Sequence, residues 1–264
     1  MMRNLKFSLR LTPVAMAALA SGGCTTLDSP VEKRKILIVA SSVMDAGDAD
    51  RSEARNNLWE IAPPYHVFSM NGFEVDFVTP SGGPVPFSRD VDDVDPPGMI
   101  LYTIKYEGFR ERADNSLRPD QIEAENYAAV FIGGGFGPLF DVANDRQITS
   151  IIGRIYEGGG VVGACGHGPG ALSNVRLADG RYMVSGKHMT GFPNSSEAVS
   201  RWSQQGSLLP FRVEDGLRAS GALFQTKADL EDKHDIVVDQ RIVSTMFLPA
   251  CANAAKTVVD ILES

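Results

Sequence analysis

The sequence is poor in the residues that build disulfide-linked, metal-bound or nucleic-acid-binding proteins. Its 264 residues include 3 cysteines, too few for a disulfide framework, and its 4 histidines show no spacing typical of zinc ligands. Lys and Arg number 25 against 33 Asp and Glu, and they form no basic stripe. We therefore expect no metal, no cofactor and no nucleic-acid partner. With 43% apolar residues the chain is long enough to bury one sizeable core.

The N-terminus has the pattern of an export signal. Three basic residues precede the apolar run from Leu11 to Ala20, and the small residues 21–23 follow it. The run is too short to cross a bilayer as a stable helix, so it predicts a signal peptide over residues 1–23. Its removal would make the chain still more acidic.

Cys24 follows the small residues, as in a bacterial lipoprotein signal, where the cysteine carries the lipid. Thr25 after it favours the outer membrane, so we expect a periplasmic protein anchored there through Cys24. Ser21 stands where leucine is common in such signals, which leaves cleavage by the ordinary signal peptidase as the alternative. Residues 24–33 form a polar tether, and residues 34–264 are expected to form a single domain.

Beyond the tether, buried strands alternate with amphipathic helices. Alternation of this kind predicts an α/β fold with a parallel sheet and right-handed crossovers. Predicted strands are Lys35–Ala40, Glu74–Val78, Tyr127–Gly133 and Val161–Ala164, and helical spacing of apolar residues runs from Leu58 to Phe68 and from Ile148 to Tyr156.

Several connections are less regular. Pro63 and Pro64 predict a break in the first helix, because proline lacks a backbone donor. Residues 79–106 predict a long covering loop. Further expectations are a hairpin or meander over 182–192, a capped helix from Ser195 to Trp202, a hairpin over 236–245 and a final helix over 250–262.

The segment Val161–Asn174, with sequence VVGACGHGPGALSN, predicts a strand that turns sharply into a helix. Such an elbow can hold one side chain above the carboxyl edge of a sheet, where a nucleophile belongs. A plain strand-to-helix turn without chemistry is the alternative.

These residues resemble the elbow of the ThiJ/PfpI superfamily, Ala-x-Cys-His-Gly-Pro-x-x-Leu, and the likeness is greatest to its glyoxalase III and heat-shock-chaperone branch. His167, Gly168, Pro169 and Leu172 fit it directly. The resemblance implies a class I glutamine amidotransferase-like fold: a flavodoxin-like parallel sheet sandwiched by helices, with small hairpin additions. Gly166, however, stands where the family has its nucleophilic cysteine.

Cys165 lies one residue before that position. Because neighbouring side chains at a strand end point to opposite faces, we expect its thiol to point into the sheet packing. A bulge at Gly166 would instead present Cys165 to the site. Cys165 and Cys251 could pair in an oxidising compartment or remain small buried residues.

The resemblance also assigns the remaining site residues. Glu60 matches the family's general acid/base, although without the resemblance an exposed helical glutamate is the favoured interpretation. His167 and Glu197 match the histidine and the downstream acid of a triad.

Gly134 and Gly135, after the third strand, match the family's loop whose backbone N–H groups form an oxyanion hole, and the N–H of Gly166 would be a further donor. A glycine cluster at a strand end could also be a phosphate-binding loop. Phe136 replaces a histidine of that loop, and the segment 245–251 forms a more apolar wall than the family's.

Two functions follow as expectations. The first is a glyoxalase III-like or hydrolase-like enzyme that acts on small reactive carbonyls of the methylglyoxal type, with Glu60 and His167 working on a bound water or diol if no thiol is available. The second is an inactive chaperone or ligand-binding lipoprotein. Superfamily members commonly form homodimers, so the same is expected here.

Overall fold

The computed structural model describes residues 35–45, 54–88, 98–199, 208–230 and 235–264. These residues belong to one compact unit, Lys33–Ser264. The predicted signal peptide, the tether and Trp202 lie outside the described residues. The domain boundary at residue 34 therefore stays a prediction.

A six-stranded sheet forms the centre, in the order β2-β1-β3-β4-β8-β7, and all strands are parallel except β7, which pairs antiparallel with β8. The predicted α/β class is confirmed. The strands are β1 Lys35–Val39, β2 Glu74–Val78, β3 Tyr127–Ile132, β4 Val161–Cys165, β5 His188–Met189, β6 Leu223–Phe224, β7 Ile236–Asp239 and β8 Ile242–Thr245. The α-helices are α1 Leu58–Met70, α2 Gly98–Tyr106, α3 Phe109–Asp114, α4 Gly137–Phe140, α5 Arg146–Glu157, α6 Asn194–Glu197, α7 Val213–Ala219 and α8 Cys251–Leu262.

Helices cover both faces of the sheet because its central strands are apolar on both sides. In β1, Leu37 and Val39 belong to the cluster that includes the buried side of α5, whereas Ile36 and Ile38 belong to the cluster that includes α1 and α8. All four side chains are fully buried. Burial on both faces explains why β1 is a continuous apolar run rather than an alternating one.

The predicted break at the two prolines is wrong, since α1 runs through Pro63 and Pro64 without interruption. Pro64 has no N–H to donate to the carbonyl of Glu60 one turn earlier. The thiol of Cys165 donates to that carbonyl instead, at 3.3 Å. A tertiary hydrogen bond thus replaces one that the helix cannot make.

Three other predictions are corrected. The end of the predicted loop, Gly98–Tyr106, is the helix α2, and residues 89–97 lie outside the described part. Residues 182–192 form no hairpin, because turns at 182–186 lead into β5, which pairs in parallel with β6. The helix expected from Ser195 begins at Asn194, and its N-cap, Pro193, provides no side-chain cap. The hairpin of β7 and β8 is confirmed.

Candidate active site at the elbow after strand β4

The elbow forms where β4 ends. Gly166 has φ +59°, a left-handed conformation that favours glycine. The helix that follows, Gly168–Asn174, is a 3₁₀ helix rather than an α-helix. The N–H of Gly166 donates to the carbonyl of Thr245 at 3.1 Å, and its carbonyl accepts from the N–H of Phe192 at 2.9 Å. Residue 166 is therefore held in this conformation from both sides, at the carboxyl edge of the sheet.

The carboxyl group of Glu60 faces this elbow. A Cβ built on Gly166 would lie 2.5 Å from Oε2 and 2.7 Å from Oε1 of Glu60, and a Cβ on Gly134 would overlap the same carboxyl. Real Cβ contacts are never this short, so both positions accept only glycine while Glu60 keeps its place. The glutamate thus occupies the space into which a side chain at position 166 would point.

Burial controls the protonation of Glu60, which is only 7% exposed. Loss of hydration raises the pKa of the carboxyl, while the positive character of His167 and a hydrogen bond from the N–H of Gly135 oppose the rise. Oε2 is buried and has no hydrogen-bond partner in the described structure. A carboxyl with a raised pKa and an unpartnered oxygen is suited to exchanging protons with a bound molecule.

His167 and Glu197 form a buried pair. Nε2 of His167 lies 2.9 Å from Oε2 of Glu197, and the two residues are 6% and 1% exposed. The ring of Phe192 stacks on the imidazole at 4.3 Å between centroids, and Phe136 contacts it at 4.6 Å. The carboxylate holds one ring nitrogen, and the phenylalanines restrict the orientation of the ring.

The thiol of Cys165 is directed into the core rather than toward the elbow. Cys165 is fully buried in the cluster between α1 and α8, and β4 keeps a regular register with β8 up to the pairing of Cys165 with Thr245. Burial raises the pKa of its thiol, which is the opposite of what a nucleophile requires. The thiol donates a hydrogen bond to the backbone carbonyl of Glu60 and no contact with His167 is seen among the described residues, and the alternative of a bulge at Gly166 is not observed.

Cys251 is the neighbour of Cys165 in that cluster. Both are free thiols, and burial raises the pKa of Cys251 well above its ordinary value. No disulfide links them. Their surroundings are apolar, as expected of cysteines that fill space in a core.

The predicted oxyanion glycines have protein partners for their N–H groups in this structure, and their role toward a substrate stays a prediction. The N–H of Gly135 donates to Glu60, that of Gly134 to the sulfur of Cys165, and that of Gly166 to the carbonyl of Thr245. The three donors point to three different protein groups, so they do not converge on one vacant position. The main role of Gly134 and Gly166 here is to leave room for Glu60.

The sequence left two contacts unassigned. Phe192 ends the predicted hairpin or meander over 182–192, and its stacking on His167 required the fold to bring residues 167 and 192 together. Thr245, which anchors Gly166, comes from the end of β8. Its position at the end of the predicted hairpin over 236–245 was the one available signal.

Among the described residues, no helix is both long and apolar enough to cross a membrane. No group of three or more His, Cys, Asp or Glu in these ranges is arranged to hold a metal ion.

Comparisons with known proteins identify relatives of the chain and its family. The chain is 27% identical over 238 residues to the glutathione-independent glyoxalase HSP31 of Saccharomyces cerevisiae, covering 88% of this chain and 99% of that protein. It is 25% identical to glyoxalase 3 of Candida albicans, covering 87% and 98%. Among solved structures, glyoxalase III from Candida albicans superposes with a TM-score of 0.74 at 22% identity, covering 87% of this chain and 97% of that one. The structure of the Francisella tularensis Rapid Encystment Protein superposes with a TM-score of 0.74 at 24% identity, covering 87% of this chain and 99% of that one. The model of the DJ-1/PfpI family matches residues 53–247, and the chain therefore belongs to that family.

Proposed function

We propose that this protein is a glyoxalase III-like enzyme that converts small 2-oxoaldehydes of the methylglyoxal type into 2-hydroxy acids without a covalent thiol intermediate. The observation that carries the proposal is the buried carboxyl of Glu60, whose unpartnered Oε2 lies beside the elbow. The similarity to glutathione-independent glyoxalases supports the substrate class.

Because Gly166 provides no thiol, the substrate would react as its hydrate rather than as a covalent thiol adduct. A 2-oxoaldehyde in water is largely its hydrate, R–CO–CH(OH)₂, in which one hydroxyl takes the place of a thiol on the aldehyde carbon. This hydrate is an isomer of the 2-hydroxy acid. The reaction therefore needs only proton transfers and no oxidant or reductant.

Glu60 and His167 would carry out these transfers in two steps. Ionised Glu60 removes the C1 proton of the hydrate, the electron pair forms a C1=C2 bond, and the C2 carbonyl oxygen takes a proton from His167. Glu60 then returns its proton to C2, and one C1 hydroxyl gives its proton back to His167 as the carboxylic acid forms. Glu197 orients the imidazole throughout.

A second function is favoured by a different observation. The elbow has no side chain at its tip, and Cys165 is buried in the cluster between α1 and α8. A protein that kept the fold and lost its nucleophile would serve as a chaperone or a ligand-binding protein. Suppression of client aggregation by purified protein, unchanged in a Glu60→Gln variant, would support this alternative.

We also propose that the protein is exported and held at the outer membrane through a lipid on Cys24, with simple signal cleavage as the alternative. The pattern of residues 1–24 supports this proposal. Mass spectrometry of the mature N-terminus, together with fractionation of the cells, tests it. A homodimer is a further proposal, tested by light scattering.

The decisive experiment follows the product by NMR. Methylglyoxal is incubated with the mature domain, with Glu60→Gln and His167→Ala variants, and with Glu125→Gln as a matched control, since Glu125 is an exposed partner of Arg154. We expect lactate from the wild type and the control, and a loss of at least about 100-fold in the site variants. In D₂O, deuterium at C2 of lactate would show that the proton held by Glu60 exchanges with solvent before it is returned to the substrate. Equal lactate formation by all four proteins, or none from the wild type, would overturn the proposal.

A further inference from the structure

Three phenylalanines form a continuous aromatic wall beside the imidazole of His167. Phe136 and Phe192 contact the imidazole directly, and Phe247 packs edge-on against Phe192 with ring centroids 5.8 Å apart. All three are partly exposed rather than buried. They come from three separate segments, after β3, after β5 and after β8.

This wall is longer than the methyl group of methylglyoxal could cover. From the imidazole it continues across Phe192 to Phe247, and the ammonium of Lys227 lies 6.0 Å from the centroid of Phe247. Because the side chain of Lys227 is 71% exposed, this end of the wall lies at the solvent boundary. An open aromatic surface between a reactive group and solvent is suited to an apolar group on the molecule that reacts.

The two sides of the site differ in polarity. Glu60 and His167 provide the groups that exchange protons, and they face the elbow. The phenylalanine wall offers ring faces and edges, which bind another aromatic ring in stacked or edge-to-face geometry. A matching molecule has a 2-oxoaldehyde at one end and an aryl group at the other.

We infer that the phenylalanines of this wall determine specificity and select 2-oxoaldehydes with an aromatic substituent over methylglyoxal. This inference deepens the proposed function and rests on it. Phe247 is the position that tests specificity alone, because Phe136 and Phe192 contact the imidazole and replacing either would also disturb His167.

The test compares kcat/KM for phenylglyoxal and methylglyoxal in the wild type, Phe136→Leu, Phe247→Leu and Tyr102→Leu. Leucine keeps apolar volume and removes the ring, and Tyr102 is a matched control because it is an exposed ring on α2. We expect the wild type and the control to prefer phenylglyoxal by roughly tenfold or more. Phe247→Leu should lose at least about threefold of that preference, through a lower kcat/KM for phenylglyoxal. Phe136→Leu should lower kcat/KM for both substrates as well, because the ring of Phe136 also contacts the imidazole.

The outcomes separate this inference from the proposed function. Turnover of methylglyoxal without any preference for phenylglyoxal keeps the function and overturns the inference. Equal losses for both substrates in Phe247→Leu would mean that its ring only supports the imidazole, and would also overturn it. If neither aldehyde reacts, the proposed function fails. Calorimetric binding of the product acids mandelate and lactate then decides the inference, since equal binding, or no binding of either, contradicts an aromatic-selective site.

Discussion

Glu60 and Cys165 are joined by a hydrogen bond that does not involve the carboxyl of Glu60. The thiol donates to the backbone carbonyl of Glu60 at 3.3 Å, whereas the carboxyl lies beside Gly166. The cysteine therefore supports the helix that carries the glutamate and is not directed toward the site. Its role is structural, and the consequences of replacing it can be measured.

Replacing Cys165 by alanine should leave kcat/KM for 2-oxoaldehydes within about threefold of the wild type. It should lower the free energy of unfolding by about 1–3 kcal/mol, because the change creates a small cavity and leaves the carbonyl of Glu60 unpartnered. Urea denaturation and steady-state kinetics measure the two effects. A loss of more than about 100-fold in activity at full folding would show that Cys165 is the nucleophile after all.

The same burial predicts slow chemical modification of both core cysteines. Cys165 and Cys251 are fully buried and their pKa values are raised, so native protein should resist iodoacetamide and denatured protein should react quickly. Peptide mass spectrometry resolves the two positions separately. Rapid native labelling of either peptide contradicts the described packing.

Replacing Gly166 by cysteine should produce a strained but more reactive site. The left-handed backbone and the contact with Glu60 should cost about 1–3 kcal/mol of stability. Gly166→Ala has the same strain without a sulfur and is the matched control. We expect turnover of methylglyoxal by Gly166→Cys to exceed that by Gly166→Ala at least tenfold, since only the former can form a covalent adduct. Equal rates would mean that Glu60 blocks the introduced thiol.

Glu60→Gln should abolish activity and stabilise the protein at neutral pH. Because burial raises the pKa of Glu60, the folded protein keeps this proton to higher pH than the unfolded chain, whose carboxyl ionises near 4.5. Between these two pKa values the folded state binds more protons, so the wild type loses up to about 1.4 kcal/mol per pH unit as pH rises. The stabilisation by Glu60→Gln should therefore be absent below pH 4.5 and grow above it. Thermal denaturation across this range measures it, and a pH-independent difference would contradict the raised pKa.

Glu197→Gln should reduce kcat by about 100-fold to 10,000-fold with little change in KM. The amide keeps the size of the carboxylate but no longer favours the protonated imidazole that forms during proton transfer. Glu125→Gln is again the matched control. Wild-type kcat in Glu197→Gln would remove His167 and Glu197 from the proposed mechanism.

The sequence was most informative where structure depends on near neighbours. The apolar runs predicted β1 to β4, and strand alternation placed the side chain of Cys165 away from the elbow. The two prolines were misleading because helix propensity considers only hydrogen bonds within the helix. Here the thiol of Cys165, at the end of β4, donates to the carbonyl of Glu60 that Pro64 cannot reach. The space that the glycines at 134 and 166 leave for Glu60 could not be predicted, because it depends on how α1 packs against the elbow.

What the chain determined by itself was the α/β class and the order of residues at the elbow, because both follow from patterns a few residues long. What only the tertiary structure decided was the site. Glu60 belongs to α1, Gly166 and His167 follow β4, Glu197 ends α6 and Phe247 follows β8. These residues meet only because the strands align their carboxyl ends at one edge of the sheet. Which groups share that edge, and how much water remains around them, depends on packing between distant segments, and local sequence carries little information about it.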